Sequence, residues 1–237
     1  MNHRLTKTAA QTAGFLLVWT VILFVISAAV FGIAGNGKLL AQEMLRCAPP
    51  EETGLPEQEY PAVGQMTAAY LTGREPEFQY IFSDEEGRSY LCFHDYEADH
   101  MADCRELIHL AGRLRWWFGG IALVCAGICA AGRRSRKETA GGMKKGLAAA
   151  GAAVAILLIW GMIDFDGLFV TFHRIAFSNE GWLLDPKTDL LIRLMPTELF
   201  VSLGLKIAGA VTAAALVLLA AVFQHSRIRI QSDKREG

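Results

Sequence analysis

Four long apolar stretches constrain the fold of this chain more than any other feature of its sequence. They lie at about 9–34, 116–132, 147–162 and 199–223. A lipid core offers no partner for an unpaired backbone amide or carbonyl, and it is crossed by helices of roughly 20 apolar residues. Hydrophobic residues make up 52% of the 237 residues, and the mean hydropathy is positive. The sequence therefore predicts a mainly α-helical membrane protein with a bundle of four transmembrane helices.

Basic residues are concentrated in three short segments, and such segments of membrane proteins stay in the cytoplasm. These segments are the N-terminus, the link between the second and third spans, and the C-terminal tail. Residues 35–113 are instead strongly acidic, so we expect this segment and the loop 164–198 on the extracytoplasmic side. The cations that set this topology are Arg4, Lys7, Arg133, Arg134, Arg136, Lys137, Lys144, Lys145, Arg227, Arg229, Lys234 and Arg235.

The predicted chain has five consecutive parts. We interpret the first apolar stretch as a retained anchor, because it is longer than the apolar core of a secretory signal and three more spans follow it. The parts are a cytoplasmic N-terminus with the first transmembrane helix (1–34), an extracytoplasmic cap (35–113), the second and third transmembrane helices with a basic cytoplasmic loop (114–163), an extracytoplasmic candidate catalytic loop (164–198), and the fourth transmembrane helix with a cytoplasmic tail (199–237).

The cap is expected to be a small α+β structure. Residues 65–71 predict a short helix that ends at Gly73, a residue suited to a left-handed helix cap. Two alternating, aromatic-rich runs at 78–82 and 89–93 flank the turn sequence Asp-Glu-Glu-Gly at 84–87. Alternation interrupted by such a turn predicts a β-hairpin.

A further helix is expected to begin near Tyr96 and to continue into the second span. At three-to-four residue spacing, Tyr96, His100, Asp103 and Leu107 fall on one face of it. Asp103, one turn after His100, either orients the imidazole and stabilises its cation or is one more surface acid of an acidic segment. His100 taken alone is more simply interpreted as a solvated residue.

The second external loop carries the sharpest functional clue. If its first half is helical, Phe165, Phe169, His173 and Phe177 form a stripe at four-residue intervals. The stripe places one titratable imidazole among aromatic rings at the membrane surface. An interfacial histidine within an aromatic belt is the simpler alternative. Ionisable groups beside apolar spans are costly, which favours a functional interpretation.

Other polar residues of this loop have structural interpretations. Asp185 and Pro186 are expected as the N-cap and first residue of a second short helix. The sequence Pro-Thr-Glu at 196–198 is expected to start the last span. Asp164 and Asp166 are interpreted as caps or boundary residues.

Several function classes are excluded at this stage. The formal net charge is only −1, and no basic surface indicates nucleic-acid binding. The chain contains no nucleophile-elbow, zinc-protease, P-loop or paired-glycine nucleotide motif. Its five cysteines have no zinc-ligand spacing. We therefore predict neither a metal nor a soluble cofactor.

Two signatures carry a resemblance to a known family. The stretch FHRIAFSNEGWLLDPKTDLLIRLMPTELF, which begins at Phe172, closely resembles a signature of the lipoprotein intramolecular transacylases, four-helix membrane proteins of bacteria. The stretch EADHMADCREL, which begins at Glu97, resembles the second signature of that family, with Cys104 and Arg105 in place of valine and lysine. The segment VGQMTAAYLTG and the spacing of the spans agree with the family along nearly the whole chain.

The resemblance implies a reaction at the outer leaflet of the bacterial cytoplasmic membrane. The expected substrate is a lipoprotein that bears a diacylglyceryl group on its N-terminal cysteine. Its sn-2 acyl chain moves to the free α-amine of the same cysteine and leaves an N-acylated lyso-form. Donor and acceptor belong to one molecule, so the expected partners are this lipoprotein and membrane lipid.

Transfer from ester to amide needs a neutral amine, a stabilised oxyanion and a proton for the departing glycerol oxygen. We expect His173 to act as the base and His100, oriented by Asp103, as the donor. The reverse order and an acyl-imidazole on His173 are variants of this scheme. The expected substrate contacts are Phe169, Phe177 and Trp182 along the acyl chain, with Arg105 and Arg193 either at lipid phosphate or extended towards the headgroups.

Two other functions compete with this interpretation. In one, the protein is a non-enzymatic envelope component whose acidic cap binds a partner and whose histidines sense pH. In the other, it is a metal-dependent lipid hydrolase with His100, His173 and Asp103 as ligands, for which the sequence shows no ligand spacing.

Overall fold

The computed structural model describes residues 2–83, 87–132 and 135–233, and it is mainly helical. The predicted turn at 84–86 and the predicted cytoplasmic residues 133, 134, 234 and 235 lie outside the described residues. The elements are α1 (Asn2–Ala34), α2 (Gly37–Cys47), α3 (Pro50–Thr53), a 3₁₀ turn (Glu57–Glu59), α4 (Tyr60–Leu71), β1 (Ile81–Ser83), β2 (Ser89–Leu91), α5 (Asp95–Ala131), α6 (Arg136–Ile163), α7 (Phe165–Ala176), α8 (Leu190–Leu194) and α9 (Thr197–Asp233).

Helices α1, α5, α6 and α9 are long and apolar enough to cross a membrane, which confirms the four predicted spans. Helix α5 has 37 residues and is about 55 Å long, well beyond a lipid core of about 30 Å. Its first half, from Asp95 to Arg115, carries acidic and basic side chains, whereas the apolar run begins at Trp116. The first half of α5 therefore lies outside the spanning segment.

The chain divides into two compact units, and the first consists of residues 1–28, 113–160 and 208–237. Here α1 and α6 approach closely at small residues. A Cβ added at Gly14 would collide with the backbone of Thr139, and one added at Gly142 would collide with the backbone of Gln11. Large apolar side chains such as Leu123 (76% exposed) point outwards. Small residues between helices and exposed apolar side chains are what a lipid environment favours.

The second unit consists of residues 29–112 and 161–207 and has its own hydrophobic core. Helices α2 and α4 cross at Gly37 and Gly64, where a Cβ on either residue would strike the backbone of the other helix. The buried core around this crossing includes Leu40, Met44, Tyr60, Val63, Phe78, Phe93, Met101, Leu191, Leu194 and Leu199.

The predicted short helix and hairpin both form, with different limits. Helix α4 begins at Tyr60 rather than Gln65, because the 3₁₀ turn and Pro61 lead directly into it. Gly73 has the predicted left-handed conformation, with φ of 79°. Strands β1 and β2 pair antiparallel, but each has only three residues.

Burial of two aromatic rings shortens the hairpin. Phe78 and Phe93 are only 3% exposed, and their ring centroids lie 4.6 Å apart in the core. The Gln79 side chain donates to the Phe93 carbonyl at 2.9 Å and accepts from the Phe93 amide at 3.2 Å. Beyond the short strands one more backbone bond forms, from the Cys92 amide to the Tyr80 carbonyl at 2.9 Å, and the Gln79 side chain then takes over at Phe93.

The prediction that Asp185 and Pro186 begin a short helix is wrong. Helix α8 begins at Leu190, and residues 186–188 form a turn instead. The Asp189 carboxylate closes this turn by accepting from the Asp185 amide at 2.8 Å. The fully buried Glu97 of α5 accepts the Leu191 amide at 2.8 Å, so a distant carboxylate satisfies the start of α8.

Candidate active site

His173 lies on helix α7, within a cluster of aromatic rings in the second unit. Asp164 caps this helix by accepting the Gly167 amide at 2.8 Å, as its interpretation as a cap predicted. The predicted stripe forms along α7 up to His173. Phe177 follows in an extended conformation, and its ring still lies 5.4 Å from that of His173.

The His173 imidazole is buried and held in one orientation. Its Nδ1 lies 2.8 Å from the carbonyl oxygen of Phe169, which can only accept, so Nδ1 carries the proton. Nε2 is then left with a lone pair. Burial lowers the pKa of His173 although the bond to Phe169 opposes this shift. His173 is accordingly a neutral base at pH 7.

The ring of His100 lies 6.0 Å from that of His173, measured between centroids. His100 belongs to the charged half of α5, is 8% exposed, and meets Phe177 edge-on at 5.2 Å. Burial, assisted by the neighbouring His173, lowers the pKa of His100 to about 4, against the opposing charge of Asp103. Helices α5 and α7, which are distant in sequence, thus bring two neutral imidazoles together.

The two nitrogens of His100 have different surroundings. Nε2 lies 3.6 Å from the Sγ of Cys104, one turn further along α5. Nδ1 is buried and has no hydrogen-bond partner among the described residues. Burial and the Asp103 carboxylate raise the pKa of the Cys104 thiol, so it keeps its proton and can donate it to Nε2. Nδ1 then carries the ring proton.

The predicted orientation of His100 by Asp103 requires correction. The Asp103 carboxylate accepts a 2.8 Å hydrogen bond from the side-chain amide of Asn179, whereas His100 Nδ1 has no partner in the described chain. One helical turn brings the carboxylate near the imidazole but does not decide which donor it binds. The Asp103 charge favours a higher pKa of His100, but no hydrogen bond from this carboxylate orients the ring.

The predicted aromatic contacts surround His173. Phe169, Phe177 and Trp182 have ring centroids 4.1, 5.4 and 5.1 Å from that of His173. Phe172, which sequence reasoning missed although it opens the signature, meets His173 edge-on at 5.4 Å and is 52% exposed. A role for these rings in lining an acyl groove stays a prediction.

The two predicted arginines contact residues other than His100 and His173. The Arg105 guanidinium sits 4.9 Å from the centroid of Tyr70. Arg193 donates to the backbone carbonyls of Asp189 at 3.2 Å and Thr53 at 3.4 Å. Both guanidinium groups have partners within the protein, and a lipid-phosphate contact for either stays a prediction.

Sequence reasoning also missed Glu97 and Asn179 as individual residues. Each carboxylate oxygen of Glu97 accepts one backbone amide: Oε2 accepts that of His94 at 2.7 Å, and Oε1 accepts that of Leu191 at 2.8 Å. Asn179 joins the loop after α7 to α5 through Asp103. Both residues stand inside the quoted signatures, which was the available signal, but their partners are distant in sequence.

Metal binding was the basis of one competing function. Within residues 2–83, 87–132 and 135–233, no three His, Cys, Asp or Glu side chains stand close enough to hold one ion. The three proposed ligands do not converge, because Asp103 turns to Asn179.

Comparison with known proteins gives two concordant results. The sequence profile of the family described as "Lipoprotein intramolecular transacylase Lit" matches residues 15–200. The solved structure of the membrane-integral lipoprotein intramolecular transacylase Lit from Bacillus cereus superposes with a TM-score of 0.73 and 15% identity, covering 98% of this chain and 100% of that one. No curated protein sequence matches the chain.

Two further structures of the Bacillus cereus protein carry a substituted histidine. The histidine-to-arginine form has a TM-score of 0.68 and 16% identity, over 98% of this chain and 96% of that one. The histidine-to-alanine form has 0.71 and 15%, over 98% and 100%. The structures establish the shared fold, and the profile match covers most of the sequence. The chain therefore belongs to the lipoprotein intramolecular transacylase family and is a membrane-integral acyltransferase.

Proposed function

We propose that this acyltransferase moves the sn-2 acyl chain of a diacylglyceryl-cysteine lipoprotein to the α-amine of the same cysteine. The observation that carries the proposal is the buried pair of imidazoles, 6.0 Å apart, within a cluster of aromatic rings. The rings give the acyl chains an apolar surface. The imidazoles supply a base and a hydrogen-bond donor where water is largely excluded.

His173 serves as the base toward the amine. Its Nδ1–H donates to Phe169, so the lone pair of Nε2 is free to take a proton from the attacking nitrogen. Its lowered pKa keeps the ring neutral at pH 7, which a base requires. The carbon–nitrogen bond then forms between the amine and the sn-2 ester carbonyl.

His100 stabilises the oxyanion of the tetrahedral intermediate. A ring N–H in a dry, preformed site is worth far more to a developing negative charge than the same group in water. When the carbon–oxygen bond breaks, the proton taken up by His173 passes to the glycerol oxygen. Neither imidazole ends the reaction with a changed charge, and no further reactant is consumed.

Tethering supplies much of the rate. The amine and the ester belong to one molecule, and bringing two such groups together in solution is a large part of the barrier. The protein then needs only to hold the near-attack geometry. This agrees with a site made mostly of rigid aromatic rings.

The site is assigned to the extracytoplasmic side of a bacterial cytoplasmic membrane, with both termini in the cytoplasm. The support is the distribution of charge, with basic residues in the short link between the second and third spans and acidic residues in the segment 35–113. Diacylglyceryl lipoproteins displayed on the outer leaflet would reach both histidines from that side.

Purified protein and a synthetic diacylglyceryl-cysteinyl peptide with a free amine test the assignment of roles. His173→Gln is expected to lower turnover by about 10³-fold, because the side-chain amide is not a base. His100→Gln, which retains a donor, is expected to lose about tenfold, and His100→Leu about 10²-fold or more. Product is measured by mass spectrometry.

His94→Gln is the matched control, since His94 stacks on Tyr96 and stands outside the ring cluster. It is expected to keep nearly full turnover. Full conversion by well-folded His173→Gln protein would contradict the proposed base.

A further inference from the structure

Asn179 links the loop after α7 to helix α5, and it also binds Gly181 and Trp182 within that loop. Its side-chain Nδ2 donates to the Asp103 carboxylate of α5 at 2.8 Å. Its side-chain Oδ1 accepts the Gly181 amide at 2.9 Å, and its backbone carbonyl accepts the indole N–H of Trp182 at 3.1 Å. An exposed asparagine thus uses its donor for α5 and its two acceptors for neighbours in its own loop.

These bonds set the position of Trp182. The indole ring lies 5.1 Å from the His173 ring, and it belongs to the loop of residues 177–184 that follows α7. Within the described chain this loop contains turns but no helix or strand, and its internal backbone bonds join the Leu183 amide to Glu180 and the Leu184 amide to Trp182. Among the residues that the structure describes, the side-chain hydrogen bond from this loop to another element is the charge-assisted bond from Asn179 to Asp103.

We propose that Asp103 and Asn179 form a latch that holds Trp182 against His173. The effect on turnover rests on the proposed function, since Trp182 then presses one face of the base while the acyl chains lie along the neighbouring rings. Asp103 is on this account a positioning residue. It acts through Asn179 and Trp182 on His173.

The rival explanation is that Asp103 matters through its charge on His100. Both explanations predict that removing the carboxylate with alanine damages the enzyme, so that variant does not separate them. Exchange of the two side chains does, because a carboxylate and an amide can form the same hydrogen bond from either end. The exchange keeps the bond and moves the negative charge away from α5.

The experiment compares Asn179→Asp, Asp103→Asn and the double variant that combines them. Asn179→Asp sets two carboxylates against each other and should open the latch, with turnover falling about tenfold. Asp103→Asn keeps an acceptor oxygen for Asn179 and should lose about threefold or less. The double variant should return to within about threefold of the native chain. Glu180→Gln is the control: it removes one negative charge, as Asp103→Asn does, but at an exposed residue next to Asn179, and it should have no effect.

A second readout needs no substrate. A protonated imidazole in contact with indole quenches its fluorescence, and subtracting the spectrum of a Trp182→Phe protein isolates Trp182 from the other tryptophans. Its emission should fall as His173 protonates below pH 6.5, because burial lowers the pKa of that ring. Asn179→Asp should abolish this titration, and the double variant should restore it.

The two readouts separate the possible failures. If the native chain shows the titration, Asn179→Asp abolishes it and the double variant restores it, but the native chain does not convert the lipopeptide, the proposed function fails and the latch stands. If the native chain is active and the double variant recovers neither turnover nor the titration, the latch is overturned. Recovery of both in the double variant, with Asp103→Asn close to native, excludes the charge of Asp103 as its main contribution.

Discussion

The two units of this protein are packed by opposite means. In the first, α1 and α6 approach through Gly14 and Gly142, and large apolar side chains face outwards. In the second, several polar groups are buried, among them Glu43, Glu97, His100, His173 and Asp189, and most of these are hydrogen-bonded within the unit. One unit is therefore a helical frame suited to lipid, while the other holds costly buried polar groups, and the proposed catalytic site lies among them.

The charged cluster at Glu43 illustrates the second kind of packing. Its carboxylate, 9% exposed, binds Arg46 at 2.6 Å, Lys206 at 2.7 Å and Ser202 at 2.8 Å. These partners hold the pKa of Glu43 at about 2 although burial opposes the shift. The cluster joins α2 to α9 within the second unit.

Substitution of Glu97 is expected to lower the free energy of unfolding more than the other changes considered below, and it tests the polar packing of the second unit. Glu97→Ala leaves the amides of His94 and Leu191 without an acceptor in a buried place, at a cost of about 3 kcal/mol in the free energy of unfolding. Glu97→Gln retains one acceptor and should cost about half as much. Unfolding in mixed micelles measures both variants. Equal stability of Glu97→Ala and the native chain would contradict this role.

Gly142 probes the first unit in the same way. Gly142→Ala puts a methyl group against the backbone of Gln11, and separating α1 from α6 should cost about 2 kcal/mol. The folded fraction should keep its turnover, because the histidines lie in the other unit. Gly141→Ala, where a Cβ has open space, is the matched control. Native stability of the Gly142→Ala protein would contradict the close approach of α1 and α6 at this glycine.

The smallest effect concerns the pH dependence of stability. The pKa of His100 is lowered to about 4 by burial, while an unfolded histidine titrates near 6.5. Between these values the unfolded chain binds more protons, so stability is complete above pH 6.5 and declines as the pH falls towards 4. His100→Phe should remove a part of this decline, which amounts to about 1 kcal/mol near pH 5.5. An unchanged pH profile of unfolding would exclude a depressed pKa at His100.

The length of the apolar stretches and the spacing of residues predicted the four spans and the residues grouped along α7. The four spans follow from the demands of lipid on the backbone, and the stripe of α7 follows from four-residue spacing, so His173 and its rings were found together. The bond from Asp103 to Asn179 was not found, because a carboxylate binds whichever donor the tertiary fold presents. The start of α8 was predicted wrongly for the same reason, because the acceptor for its Leu191 amide is the carboxylate of Glu97, which is distant in sequence.

The most direct test of the central claim follows one acyl chain. A diacylglyceryl-cysteinyl peptide carrying an isotopic label only in its sn-2 chain is incubated with the purified protein, and the product is fragmented in the mass spectrometer. We predict that the label appears on the α-nitrogen of the cysteine, that no free labelled fatty acid accumulates, and that His173→Gln abolishes the transfer. Label that stays on glycerol, or that is released as free acid, would contradict the account.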